Sequence, residues 1–384
     1  MKSSIVLGVL DRFISKGKLS VSGPNGETSV LGGRAPGHEA AIDIRPGTSL
    51  GAVLSGGALG IVEAYMAGGI ETDDLTDFLL FAADNQQAWI AEHPRLYAIG
   101  RSLSRLRNTG ETDVESMAGH YNLGNEFYES WLDPTMTYSS GRFIDTGDLE
   151  EAQRIKYRSL VELADIRPGH RVLEIGSGWG AFSLFLAEMG CDVTTLTIAE
   201  EQLAYVEKRV ANSGAGDRID ARLLDFAEIQ GEFERVVSVE MIESIDERRW
   251  QELFDVIARV LAPGGKLGLQ SIVIDDAFWS SYRENPDFIQ RYIFPGGMLP
   301  SPAMLRTMVT ASGMTWTGDH AFGSDYAKTL EMWHDRFESA WESIRDLGFD
   351  ERFRRMWKSY LSYCEAGFRI GRIDVVQFAA EVTS

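Results

Sequence analysis

Short, almost uninterrupted apolar runs alternate with amphipathic stretches from Leu149 onward. Val172-Leu173-Glu174-Ile175 has the length of a buried parallel strand, and Gly176-Ser177-Gly178-Trp179-Gly180 follows it as a glycine-rich turn. Ala181 to Ala187 then begins a helix. A helix over Ala152–Ala164 stops at Arg167-Pro168-Gly169 just before that strand. Further strands are predicted at Cys191–Ile198, Ile219–Leu224, Arg235–Val239 and Lys266–Ile274. Helices are predicted at Glu200–Ala211 and Trp250–Leu261, the latter closed by Ala262-Pro263-Gly264-Gly265. Strand–helix alternation with short connections predicts an α/β doubly wound parallel sheet, with ligands outside the carboxyl ends of its strands.

The N-terminal part is patterned differently. Leu19–Val21 and Thr28–Leu31 flank the turn signal Gly23-Pro24-Asn25-Gly26, and Asp73-Asp74-Leu75 caps a helix running through Phe81. A separate α+β domain over residues 1–100 fits this, with a linker at 101–118 and the α/β domain with a helical cap over 119–384. The basic run Arg101–Arg107 reads as a solvated helix face or a membrane-facing patch. Arg352–Lys358 mixes basic and aromatic residues and suits an interfacial helix or a packed one equally.

Composition narrows the functional classes. A formal net charge of −20 over 384 residues excludes nucleic acid as the expected partner, because phosphate binding needs a basic face. Cys191 and Cys364 give neither a disulfide framework nor a zinc cluster. Only a brief apolar run, broken by Asp11-Arg12, follows Met1-Lys2-Ser3-Ser4, and no stretch reaches the length of a membrane span. A cytoplasmic protein that touches membranes at most peripherally is expected.

The turn at 176–180 lacks the G-x-G-x-x-G spacing of a pyrophosphate cradle. An acid within the first strand, Glu174, and one after the third, Asp225, suit a ligand carrying an ammonium group, hydroxyls and an adenine amino group. S-adenosylmethionine has that profile. A glycine turn that binds nothing is the plainer alternative.

Several blocks then stand in order: His120–Tyr128, Trp131–Ser140, Val237-Ser238-Val239-Glu240-Met241-Ile242-Glu243, Tyr292–Ser301, Phe322–Leu330 and Tyr363–Phe368. Together they resemble the cyclopropane-fatty-acid synthases and the mycolic acid methyltransferases. The resemblance implies a class I methyltransferase (Rossmann-like) sheet, an N-terminal lipid-binding domain and a homodimer. It also implies that Tyr138, Ser139, Gly176, Gly178, Thr197 and Gln202 line the S-adenosylmethionine site, with Glu174 and Asp225 beside them. The substrate it implies is the double bond of an unsaturated fatty acyl chain, bound in a phospholipid.

In the cyclopropane-forming relatives a bound bicarbonate is the implied base, caged by a cysteine, a glutamate, a histidine and a tyrosine. This chain has Glu243 and Tyr326 in that pattern, but Ser140 stands for the cysteine and Gln270 for the histidine. Ser244 also stands where the family often has histidine. Neither replacement repeats a thiol or an imidazole, so the bicarbonate and the ring product stay open, and a methyl- or methylene-branched product is favoured. Tyr138, Tyr292, Phe294 and Tyr326 are the aromatic candidates for facing a carbocation. Two rival functions remain: methyl transfer to a small soluble acceptor, and lipid binding without catalysis.

Overall fold

The computed structural model describes residues 14–49, 53, 56–92 and 123–382, apart from the side chains of 87–92. The linker, the basic run at 101–107 and His120-Tyr121-Asn122 lie outside the described residues. The chain divides into two compact units: residues 1–121, 287–293 and 348–370 form one, and the remainder forms the other.

The first unit holds β1 (Lys16–Ser22), β2 (Thr28–Gly32), β3 (Ala35–Ile44) and β4 (Ile70–Glu71) in the order β2-β1-β3-β4. β1 and β2 pair antiparallel across the expected turn at 23–26, where Gly26 has φ +81, whereas β1 and β3 are parallel. Gly57–Met66 and Leu75–Glu92 are helices. The second was expected to end at Phe81, but Ala82 to Glu92 contains no glycine or proline to stop it. Asp74 caps this helix through the Asp77 amide at 2.9 Å. The helix Glu351–Arg369 packs on both. Its Phe353, Met356 and Trp357 are fully buried, and Arg355 reaches the carbonyls of Tyr65 (2.7 Å) and Ile70 (3.0 Å) and the Glu71 carboxylate. Of the two readings of Arg352–Lys358, the packed helix is therefore the one adopted, because its aromatic face lies in this unit's core.

The second unit is the α/β sheet. It comprises β5 (Arg171–Ile175), β6 (Asp192–Thr197), β7 (Ile219–Leu223), β8 (Phe233–Val239), β9 (Leu261–Ile274), β10 (Met314–Ala321) and β11 (Ile373–Val382), ordered β10-β11-β9-β8-β5-β6-β7. β9, β8, β5, β6 and β7 are parallel neighbours, as expected, and β11 and β10 extend the β9 edge antiparallel, making the sheet mixed. Two apolar layers cover its faces, one around Leu160, Phe182 and Leu186, the other around Leu253, Phe254 and Ile257. Residues 262–265 were expected to separate a helix from a strand. Instead the helix stops at Val260, and Leu261 already pairs with Phe233, so the Pro263-Gly264-Gly265 turn is a bulge inside β9. The strand order reverses at β5, which pairs with β6 on one side and β8 on the other. That switch point is where an open α/β sheet opens a crevice. Among the described residues, no helix is long and apolar enough to cross a membrane.

Candidate active site

The glycine turn leaves β5 at the switch point. Gly176 (φ +93), Gly178 (φ +48) and Gly180 (φ +83) all take left-handed conformations, and Gly180 caps the helix Ala181–Glu188. A Cβ on Gly176 would lie 2.9 Å from Met241 Cγ, so that glycine serves the packing of the chain after β8. A Cβ on Gly178 would meet nothing within 4 Å, so its side of the turn is open to a ligand.

Beneath the turn, the buried Glu174 carboxylate accepts hydrogen bonds from the Ser183 hydroxyl and from Thr195 Oγ1 (2.7 Å). It thereby joins β5 to the following helix and to β6. Burial pushes its pKa up to about 7, against the pull of those two hydroxyls. Thr197 ends β6, donates to Gln202 Oε1 at 2.9 Å and accepts from the Ala199 amide at 3.1 Å, which ties the pair named from the sequence. Asp225, just past β7, is gripped by both Arg249 Nη atoms at 2.8 and 3.0 Å, and these hydrogen bonds hold its pKa low. Ile198 was not singled out from the sequence, yet it is 78% exposed immediately after β6.

A file of aromatic rings leads away from the turn. Trp179 lies 4.7 Å from Tyr128, Tyr128 5.3 Å from Tyr138, Tyr138 5.3 Å from Trp333, and Trp333 6.1 Å from Tyr326, centroid to centroid. Tyr138 and Tyr326 are thus brought together. Tyr292 belongs to the other unit, where its hydroxyl donates to Glu63 at 2.9 Å. Ser139, next to Tyr138, accepts a 2.6 Å hydrogen bond from Lys156 Nζ, a fully buried ammonium that also donates to Gln153 Oε1. Burial draws the Lys156 pKa down to about 7, opposed by the charges of Glu240 and Asp133.

At the far end of the file Ser140, Gln270 and Tyr326 converge, but on Glu240. Its Oε1 accepts from the Ser140 amide (3.0 Å) and from Gln270 Nε2 (2.7 Å), and its Oε2 accepts from the Tyr326 hydroxyl (2.7 Å). The Ser140 hydroxyl turns away to the Gly141 carbonyl. Glu243 stands apart: its Oε1 accepts from the Ile272 amide, and its buried Oε2 has no hydrogen-bond partner among the described residues. Burial and the charge of Glu240 push the Glu243 pKa up to about 8.

A bicarbonate ion would need the donors that already hold the Glu240 carboxylate, and it would bring a further negative charge beside the Glu240 and Glu243 carboxyls. The residues present do not fit it. Sequence reasoning passed over Glu240, Lys156 and Gln153. The signal available for Glu240 was its place one residue beyond β8, at the carboxyl end of a parallel strand, where ligands of such sheets sit.

Residues 108–378 match the family model of mycolic acid cyclopropane synthetase. The chain is 34% identical over 343 residues to the tuberculostearic acid methyltransferase UfaA1 of Mycobacterium tuberculosis, covering 84% of this chain and 78% of that protein. It is 34% identical over 334 residues to the cyclopropane-fatty-acyl-phospholipid synthase of Escherichia coli, covering 85% and 83%. The solved structure of the mycolic acid cyclopropane synthase CmaA1 complexed with SAH and CTAB superposes with a TM-score of 0.64 at 30% identity, over 71% of this chain and 100% of that one. With the family model covering well over half its length, the chain belongs to the mycolic acid cyclopropane synthetase family.

Proposed function

We propose that this protein transfers a methyl group from S-adenosylmethionine to one carbon of the double bond in an unsaturated fatty acyl chain carried by a phospholipid. The observation that carries the reading is the ring file from Trp179 in the glycine turn to Tyr326 at the Glu240 carboxylate. It runs in continuous aromatic contact from the cofactor turn to the Glu240 carboxylate, an apolar surrounding that suits an acyl chain. Gly176, Gly178, Tyr138, Ser139, Thr197, Gln202 and Asp225 would hold the cofactor, and Glu174 would brace the turn from below. When bound, S-adenosylmethionine supplies an electrophilic methyl on a sulfonium. An alkene is a weak nucleophile, so alignment and exclusion of water carry much of the barrier reduction, about 7 kcal/mol or more where alignment is good. The faces of Tyr138 and Tyr326 suit the cation left on the neighbouring carbon.

Loss of a proton from the new methyl closes a cyclopropane or, after a 1,2-hydride shift has moved the cation onto the methylated carbon, leaves a methylene; loss from a chain carbon beside the cation leaves a methyl-branched alkene. Each product exceeds the substrate by one CH2. On this reading residues 1–100 deliver lipid, and the enzyme is a cytoplasmic homodimer in peripheral contact with the membrane. The purified chain, incubated with S-adenosylmethionine and vesicles of unsaturated phospholipid, is expected to yield acyl chains heavier by one CH2 in mass spectrometry. Fragmentation then separates ring from branch. Unchanged lipid together with methylated soluble acceptors would refute the reading, as would failure to bind S-adenosylmethionine in a calorimeter.

A further inference from the structure

We propose that Glu240 is the general base of this reaction, a carboxylate built into the chain where the resemblance implies a bound bicarbonate, so that turnover needs no bicarbonate. The inference rests on the methyl-transfer reading above. A carboxylate presents the same O–C–O edge as bicarbonate, and Ser140, Gln270 and Tyr326 hold that edge by three hydrogen bonds.

The donors assign the two oxygens different work. The Gln377 side chain faces the Lys156 carbonyl at 3.0 Å, which can only accept, so Nε2 of Gln377 must point there. The same Nε2 lies 2.8 Å from Gln270 Oε1, and this leaves Gln270 Nε2 to donate to Glu240 Oε1. The Ser140 N–H is an obligate donor to the same oxygen. Oε1 therefore faces the positive ends of two fixed N–H dipoles, while Oε2, with the Tyr326 hydroxyl alone, keeps a lone pair for a proton.

Three further observations fit. Gln270 and Ser140 are completely buried, yet Glu240 keeps accessible surface. Its φ of +49 is a left-handed conformation that a side-chain-bearing residue adopts only when its surroundings enforce it, a mark of functional sites. Burial also raises the carboxyl pKa, against the pull of Lys156 and the three donors, which makes the ionised form a stronger base.

The step balances without another reactant. The alkene π pair forms the carbon–carbon bond to the methyl, the methyl–sulfur pair stays on sulfur, and Oε2 takes one proton from the cation. The released C–H pair closes the ring or forms the new double bond, and the proton passes later to water.

The test uses the full chain, S-adenosylmethionine and unsaturated phospholipid vesicles. Wild-type turnover is expected to be unchanged in buffer stripped of carbon dioxide. Glu240→Gln is expected to lose about 100-fold or more in kcat, with cofactor affinity by calorimetry within threefold. Glu240→Gly, for which φ +49 carries no strain, opens the cage to an ion, and added bicarbonate is expected to restore its rate at least tenfold. Wild-type dependence on bicarbonate overturns the proposal, as does a Glu240→Gln enzyme retaining more than a tenth of wild-type kcat. Absence of rescue in a Glu240→Gly enzyme that binds cofactor normally also overturns it. If neither variant folds, the bicarbonate dependence of the wild type decides alone. A wild-type chain that adds no carbon to lipid refutes the methyl-transfer reading instead, so the two failures are distinguishable.

Discussion

Replacing Lys156 with methionine removes a fully buried charge while keeping an unbranched side chain one atom shorter. The lysine's Nζ donates to Ser139 Oγ and Gln153 Oε1, lies 4.6 Å from the Tyr157 ring centre and interacts electrostatically with Glu240 and Asp133. Removing one member of a buried charge pair costs about 3–5 kcal/mol, because the other charge is left uncompensated. Glu240 feels the ammonium through space rather than in a direct ion pair, retains three hydrogen-bond donors and can neutralise itself by taking a proton, so at most the low end, about 3 kcal/mol, is expected. That corresponds to a fall of about 6–12 °C in the melting temperature for a domain of this size. Adding Glu240→Gln removes the stranded charge, and the double variant is expected to be more stable than the sum of the single effects by about 1–2 kcal/mol.

The pH dependence has a definite sign. The folded-state pKa of Lys156, about 7, lies below that of an unfolded lysine near 10.5, so the unfolded chain binds more protons between those values. Stability contributed at this site therefore rises with pH across that window, and Lys156→Met flattens the rise. Urea unfolding of the four proteins, followed by tryptophan fluorescence at several pH values, measures both effects. A coupling below about 0.5 kcal/mol, or a pH slope unchanged in Lys156→Met, would refute the argument that this ammonium and Glu240 act as a pair.

Other expectations concern the turn and the second acid. Gly176→Ala places a methyl 2.9 Å from Met241 Cγ in a left-handed conformation, so a loss of more than about 2 kcal/mol is expected in denaturant unfolding. Gly178→Ala meets open space and should cost only the backbone strain of about 1–2 kcal/mol, while cofactor affinity in a calorimeter falls by more than tenfold; equal losses of affinity in the two variants would contradict the assignment of the open side. Glu243 has a folded pKa near 8, above its unfolded value near 4.5, so its contribution to stability is lost as pH rises towards and through 8. Glu243→Gln should thus gain in melting temperature over the wild type from pH 6 to pH 8.5, and a constant difference would speak against a buried protonated acid. Glu174→Ala strands the Ser183 and Thr195 hydroxyls and is expected to cost about 1–3 kcal/mol, against less than about 1 for Glu174→Gln, by the same unfolding assay.

The parallel core was legible because its strands are short apolar runs ended by turn residues, as at Val172–Ile175 before Gly176. Boundaries failed where a local signal had two structural meanings. Pro263-Gly264-Gly265 marks a turn in either case, and only the pairing of Leu261 with Phe233 shows that the strand continues through it. The same limit governs the acid site. Glu240 and Glu243 are three residues apart in one motif, and only the fold brings Ser140, Gln270 and Tyr326 onto the first. Lys156 escaped notice because a lysine within an amphipathic helix ordinarily faces water; here it points into the core to meet Ser139.

The first unit is not closed by its own stretch of chain. Its sheet and early helices share a core with the helix Glu351–Arg369, whose Phe353, Met356 and Trp357 are buried there. During synthesis at about 5–20 residues per second, the N-terminal sheet must wait on the order of ten seconds or more for that helix to emerge, with its apolar face uncovered meanwhile. A fragment cut before residue 348 never receives its missing wall, and it is expected to aggregate or to require a chaperone. Two independent domains joined in tandem would fold one after the other, whereas here the first unit is completed only by residues 348–370.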